Sequence, residues 1–122
     1  MHNFQDLIIW KKAMGLVEEI YKLTTSFSKD EKFGLKSQIR RSAVSIPSNI
    51  AEGAGRNTNG EFRNFLGIAN GSINELSTQL LLSQMLCLIS EDKISPILEN
   101  LTEIQKINHS LIKKFKYQES KI

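Results

Sequence analysis

Catalysis needs nucleophiles, acids, bases or metal ligands at workable spacing, and in this chain the residues that supply them are scattered. His2 falls in a terminus expected to fray, and His109 has no companion at ligand spacing; the Glu-x-x-His repeats of a di-iron bundle are absent. Ser45 and Ser48 have no candidate base near them in sequence. Glu52 and Glu75 are the carboxylates best suited to acid–base work, yet such residues more often close ion pairs, Glu52 for instance with an arginine of its own helix. Gly53-Ala54-Gly55-Arg56 lacks the lysine and the preceding strand of a phosphate-binding loop. Cys87 is the single cysteine, and its apolar neighbours predict an inert core position. The expectation is a protein that is not an enzyme, with no catalytic residue, no cofactor and no metal.

Positive charge is better organised. Lys36, Arg40, Arg41, Arg56 and Arg63 gather around one segment, opposed there only by Glu52 and Glu61. Arginine suits bidentate phosphate contact, so these five are candidate nucleic-acid ligands of a largely sequence-independent kind. The same residues could instead close salt bridges between subunits. No aromatic residue is interleaved with them in the second helix, which argues against stacking on single-stranded bases. The overall balance, net charge +3 with a pI near 9.1, permits an acidic partner without demanding one. Lys113, Lys114, Lys116 and Lys121 read as solvating a fraying end.

Helices must position these residues. Apolar side chains recur at helical spacing in four blocks, predicting helices over roughly 7–26, 29–54, 59–89 and 91–116 in one domain. The first carries the stripe Trp10, Ala13, Met14, Val17, Ile20, Tyr21 and Phe27 behind an N-cap at Asp6. The second opens at a capping box, Ser28-Lys29-Asp30-Glu31, and keeps Leu35, Ile39, Ala43, Ile46 and Ile50 on one face. It stops near Gly53-Ala54-Gly55, where glycine can take a left-handed cap conformation. A second box, Thr58 to Glu61, opens the third helix, with Phe62, Leu66, Ala69, Ile73, Leu76 and Leu80 as its stripe. Ser90 opens the fourth, whose stripe is Ile94, Ile97, Leu101, Ile104, Leu111 and Phe115. Pro96 would be a first helical residue if the start were Ser95; the earlier start is favoured because Ile94 belongs to the stripe. Connections of about two to six residues turn each helix back on the one before. The expected class is all-α, an antiparallel up-down-up-down four-helix bundle. With no apolar run long enough for a bilayer, no leader pattern and one cysteine, a cytoplasmic setting away from membranes is expected.

The second helix has more than a core stripe. Gln38, Ser42, Ser45, Asn49 and Glu52 recur at spacings of three and four beside it. Short Ser and Asn in place of Lys and Glu predict a half-buried polar seam against another helix, and a second subunit is the expected partner. The outward positions Val44, Pro47, Ala51 and Gly55 are small or apolar, and the C-terminal half of the third helix carries leucines, Met85 and Ile89 all round. Helices without a wide charged face are buried on more than one side, so self-association is expected. Pro47 removes the amide that would bond the Ala43 carbonyl, predicting a kink.

The run Gln38-Ile39-Arg40-Arg41-Ser42-Ala43-Val44-Ser45-Ile46-Pro47-Ser48-Asn49-Ile50-Ala51-Glu52-Gly53 resembles a bacterial family encoded in intervening sequences of large-subunit ribosomal RNA genes. That family is sometimes labelled a ribosomal-protein family and is related to the accessory variability determinant of diversity-generating retroelements. Phe4-Gln5-Asp6-Leu7 with Trp10-Lys11-Lys12-Ala13 is similar to its opening, and Glu61-Phe62, Phe65-Leu66, Ile68-Ala69 and Gly71 to Leu76 to its third helix. The fourth helix matches in pattern only. The resemblance implies a four-helix bundle that assembles into a barrel-shaped homopentamer and has no established enzymatic activity. The retroelement relative further implies contact with a nucleoprotein through a basic surface. The expected function is thus a non-enzymatic, self-assembling scaffold that binds RNA or a nucleoprotein; the alternative is a protein-binding adaptor with no nucleic-acid contact.

Overall fold

Hydrophobic periodicity resolves into four helices in the computed structural model, which describes residues 1–28 and 34–120, the side chains of Tyr117, Glu119 and Ser120 excepted. A 3-10 turn at Phe4–Asp6 precedes α1 (Ile8–Thr24), α2 (Leu35–Ala54), α3 (Asn59–Met85) and α4 (Glu91–Ser120). No strand occurs among the described residues. α1 packs directly on α2 and α4, α3 packs on the same two, and the backbones of the diagonal pairs stand further apart. The four therefore stand at the corners of a square around one apolar cluster. Ile39, Ile46, Ile50, Leu66, Leu76, Leu80 and Ile94 are fully buried there, each contributing about 1.5–3 kcal/mol.

The stripes of α2 and α3 are buried as their spacing predicts, and α4 buries all of its stripe except Leu111, which is partly covered. The stripe of α1 is displaced. Its core positions are Ile9, Ala13, Leu16 and Ile20, all at most 2 % exposed, whereas Met14 and Tyr21 are 46 % and 42 % exposed. The apolar stripe of α1 is wider than the wedge between α2 and α4, so its outer edge, with Trp10 and Val17 half-covered, is left facing out.

Helix ends depart from expectation where the backbone overrides side-chain signals. Asp6 does not cap α1: its carboxylate accepts from Asn3 Nδ2 at 3.1 Å inside the 3-10 turn, and Leu7 takes the cap position without a side-chain bond. Glu31 of the predicted capping box lies outside the described residues. The predicted start of α2 at residue 29 also lies outside the described residues; the described helix begins at Leu35, directly after Gly34, whose φ of 64° is left-handed. At its other end Gly55 is right-handed (φ −83°), so the left-handed glycine cap is not used. Thr58 caps α3 as its box predicts, Oγ1 accepting from the Glu61 amide at 3.1 Å. α3 ends at Met85, short of 89. There Leu88 N bonds Ser83 O (2.9 Å) and Cys87 N bonds Gln84 O (3.0 Å), a Schellman ending with Cys87 in the left-handed position at φ 60°. Cys87 is thereby exposed instead of buried in the core. α4 takes the earlier start, with Pro96 inside it, and runs past 116 to Ser120.

Neighbouring helices are tied by specific contacts. Between α2 and α3 the approach at Gly53 is so close that a Cβ there would lie 2.6 Å from Phe65 Cβ. Between α1 and α4, Lys12 pairs with Glu103 at 2.7 Å and Asn100 donates to Glu19 at 3.2 Å. Between α3 and α4, Gln105 Nε2 donates to Asn70 and Asn74, and the fully buried Asn108 donates to the Leu66 carbonyl at 2.9 Å. The N-terminal residues do not fray. His2 N donates to Ala54 O at 2.8 Å, and its ring packs 5.2 Å from Phe62 and 5.3 Å from Phe115.

Candidate nucleic-acid interface and polar seam

Helix length divides the five basic candidates. Lys36, Arg40 and Arg41 lie in the N-terminal half of α2, while Arg56 follows its C-terminus and Arg63 sits in the first turns of α3. At 1.5 Å per residue the two groups are roughly 20 Å apart along the helix, so they form two basic areas and not one patch.

The two areas differ in what their charges do. Arg40 is anchored: Nε donates to Thr24 Oγ1 at 2.8 Å, Nη2 to the Tyr21 carbonyl at 3.1 Å, and its guanidinium carbon lies 4.3 Å over the Tyr21 ring. These partners are neutral, so orientation is fixed while no carboxylate among the described residues pairs with the charge. Arg41 is exposed and Lys36 half-buried, and neither pairs with a carboxylate among the described residues. At the other end Arg56 stacks 4.7 Å over Phe65 and pairs with Glu52 at 2.8 Å. Glu52 thus meets an arginine four residues on, in a solvent-facing pair worth about 0.5 kcal/mol or less. Arg63 is half-buried.

The polar line on α2 meets α3 of the same chain at Ser45 and Ser72, and not the second subunit expected from the sequence. Ser42 is buried, and Ser45 Oγ lies 2.7 Å from Ser72 Oγ. Asn49 Nδ2 donates to both the carbonyl and the hydroxyl of Ser45, at 2.8 and 3.0 Å. Gln38 and Glu52, the two ends of the line, are exposed. The α3 side of the seam, Ser72, escaped sequence reasoning; Gln79 and Ser83, further along the same helix, are buried polar residues whose bonds stay within α3. Tyr21 and Thr24, which hold Arg40, were also missed; nothing local in sequence marks them.

Glu75 accepts from Gln79 Nε2 at 3.3 Å and His109 is exposed on α4. Among the described residues no group of three His, Cys, Asp or Glu could hold a metal ion, and no helix is long and apolar enough to cross a membrane.

Two apolar areas stay uncovered. Met14 of α1 and Val44 of α2 are exposed along a shallow groove of about 310 Å³ with the partly covered Trp10, Val17 and Ala51, whereas Pro47, expected to face outward, is buried at its floor. On α3, Ile68, Leu81, Leu82 and Met85 are exposed, followed by Leu86.

Comparison with known proteins follows the same helices. A family model described as 23S rRNA-intervening sequence protein matches residues 5–110. The chain is also similar to the crystal structure of a protein of unknown function from the S23 ribosomal protein family of Bacteroides thetaiotaomicron, at 30 % identity and a TM-score of 0.80, covering 87 % of this chain and 99 % of that one. No curated protein matches.

Proposed function

We infer the role of this protein from one premise of kinship and one of surface: the chain belongs to the 23S rRNA-intervening sequence protein family, and its bundle leaves apolar side chains exposed on a molecule whose Lys36 and Arg41 meet no carboxylate among the described residues. It is a non-enzymatic, self-assembling helical scaffold that binds RNA, free or within a nucleoprotein, through the basic surface of α2. The helices alternate up and down. This is supported by contacts that step in opposite directions, Lys12 with Glu103 then Glu19 with Asn100, and Leu66 with Asn108 then Asn74 with Gln105.

The observation that carries the reading is the pair of apolar areas, the α1–α2 groove and the outer face of α3. They lie on different helices, so one copy presents to the next a face unlike the one it receives. Such a head-to-tail interface closes into a ring or runs on as a filament, and the family resemblance favours the closed homopentamer. Glu52 and Glu75 already have structural partners, which supports a role without catalysis. A single cysteine fits a reducing cytoplasm. The relation that the sequence resemblance implies between this family and the retroelement accessory determinant favours nucleoprotein contact.

Light scattering at micromolar concentration tests assembly, with a closed oligomer expected and a monomer overturning it. Gel-shift titration of the protein with RNA at several salt concentrations tests the rest: affinity should fall steeply as salt rises. The adaptor reading has its own support, since Arg40 and Arg56 are engaged inside the chain. Oligomers that show no RNA shift at low salt would establish it instead.

A further inference from the structure

The corner where α1 gives way to α2 holds an open cavity of about 730 Å³, whose lining includes Tyr21, Lys36, Ser37, Arg40, Arg41 and Val44. A volume of this order suits a nucleotide-sized group. Three of these side chains are cationic and no described lining residue is acidic. The carboxylates that pair with cations elsewhere, Glu18, Glu52 and Glu103, are taken by Lys22, Arg56 and Lys12.

Arg40 distinguishes this cavity from an ordinary basic surface. A guanidinium has five N–H donors, and among the described residues two of Arg40's are used, both on neutral oxygens. Stacking on Tyr21 immobilises the group, so its ordering entropy is already spent before any ligand arrives. A structural arginine would normally be neutralised by a carboxylate. This one is held still with no carboxylate on it and three donors unused among the described residues, flanked by Lys36 and Arg41, which have no described partner of their own. Tyr21 and Val44 add an apolar wall for the less polar part of a ligand.

We propose that this cavity is a phosphate-binding site for single-stranded RNA, in which Arg40 is the fixed contact and Lys36 and Arg41 close on the phosphates. The proposal rests on the RNA-binding reading above and places its principal contacts at the N-terminal half of α2, leaving the Arg56–Arg63 end aside.

The test uses a short oligouridylate with the whole protein. Lys36→Ala/Arg41→Ala removes two charges from the cavity without touching a described structural contact; Lys113→Ala/Lys114→Ala removes the same charge from α4 as a control. Circular dichroism and light scattering confirm that both keep fold and assembly. The cavity variant should bind about tenfold more weakly, with the log–log salt dependence shallower by about 1.4 for two lost phosphate contacts, while the control stays within about twofold. The Arg40 Nε–H resonance should move on addition of oligouridylate. If RNA binds the wild type but the cavity variant and the control weaken equally, the site lies elsewhere and the RNA reading survives. If the wild type binds no RNA at low salt, both fall. If inorganic pyrophosphate or polyglutamate moves the Arg40 signal and RNA does not, the occupant is a free phosphate or an acidic protein, and the proposal is overturned.

Discussion

Replacing Gly53 with alanine adds one methyl group at the tightest point between α2 and α3. At an open helical position the change would stabilise by about 0.8–1 kcal/mol, since glycine loses more backbone freedom on folding than alanine. Here the new Cβ would meet Phe65 Cβ at 2.6 Å, Phe62 Cδ1 at 2.8 Å and Phe62 O at 3.3 Å. Phe65 Cβ and the Phe62 carbonyl belong to or adjoin the backbone, so no rotamer change relieves them. Ordinary contact begins at 3.4 Å, which requires α2 and α3 to part by about 0.8 Å. A gap of that size forfeits roughly a quarter to a half of each dispersion contact along Ile50, Ala54, Phe62 and Leu66, and overpacking of this kind costs about 1–3 kcal/mol. The net expectation is destabilisation by up to about 2 kcal/mol, a fall in Tm of up to about 8 °C for a chain of 122 residues. Gly15→Ala is the matched control, because a Cβ there meets nothing within 4 Å; it should raise Tm by about 3–4 °C. Thermal and urea unfolding followed by circular dichroism, at one fixed protein concentration, reads both. Should Gly53→Ala stabilise as Gly15→Ala does, the close approach is not a constraint in solution and the reasoning fails.

Three further substitutions probe single features. Cys87→Gly should stabilise by about 0.5–1 kcal/mol, because glycine takes the left-handed ending of α3 without strain and the exposed thiol leaves no cavity; a lower urea midpoint would refute this. Ser45→Ala and Ser72→Ala, measured singly and together, should show a coupling of about 1 kcal/mol from their 2.7 Å hydrogen bond, and additive effects would mean the seam is not formed there. Thr58→Ala should cost about 1 kcal/mol and speed hydrogen exchange at the Glu61 amide, whereas Thr58→Ser should be close to neutral; unchanged exchange in the alanine variant would dismiss the cap.

Regular, wholly apolar stripes were legible in the sequence, and the cores of α2, α3 and α4 follow them. The stripe of α1 was wider than its slot, and periodicity cannot say which part of a wide stripe faces inward. Thr58 could be read because a cap is a contact across three residues; the left-handed Cys87 could not, since cysteine carries no preference for that conformation. Gly53 illustrates a different limit. Its type signalled a helix end, but its reason is a neighbouring phenylalanine on another helix. The basic residues were identifiable by type, while their division into two areas follows from helix length. The anchoring of Arg40 depends on a tertiary juxtaposition with Tyr21 and Thr24. Ser42, Ser45 and Asn49 announced a seam; only the fold says that α3 of the same chain fills it.

The amide contacts between α3 and α4 act as a vernier for the pairing of those two helices. Leucines and isoleucines alone would tolerate sliding by one turn, about 5.4 Å, because one apolar layer looks much like the next. Such a slide would carry Asn108 away from the Leu66 carbonyl, stranding a fully buried amide, and would separate Gln105 from the two asparagines it spans. Two gauge marks set on one edge of the square thereby define a single alignment, and with it the height at which the outer face of α3 is presented.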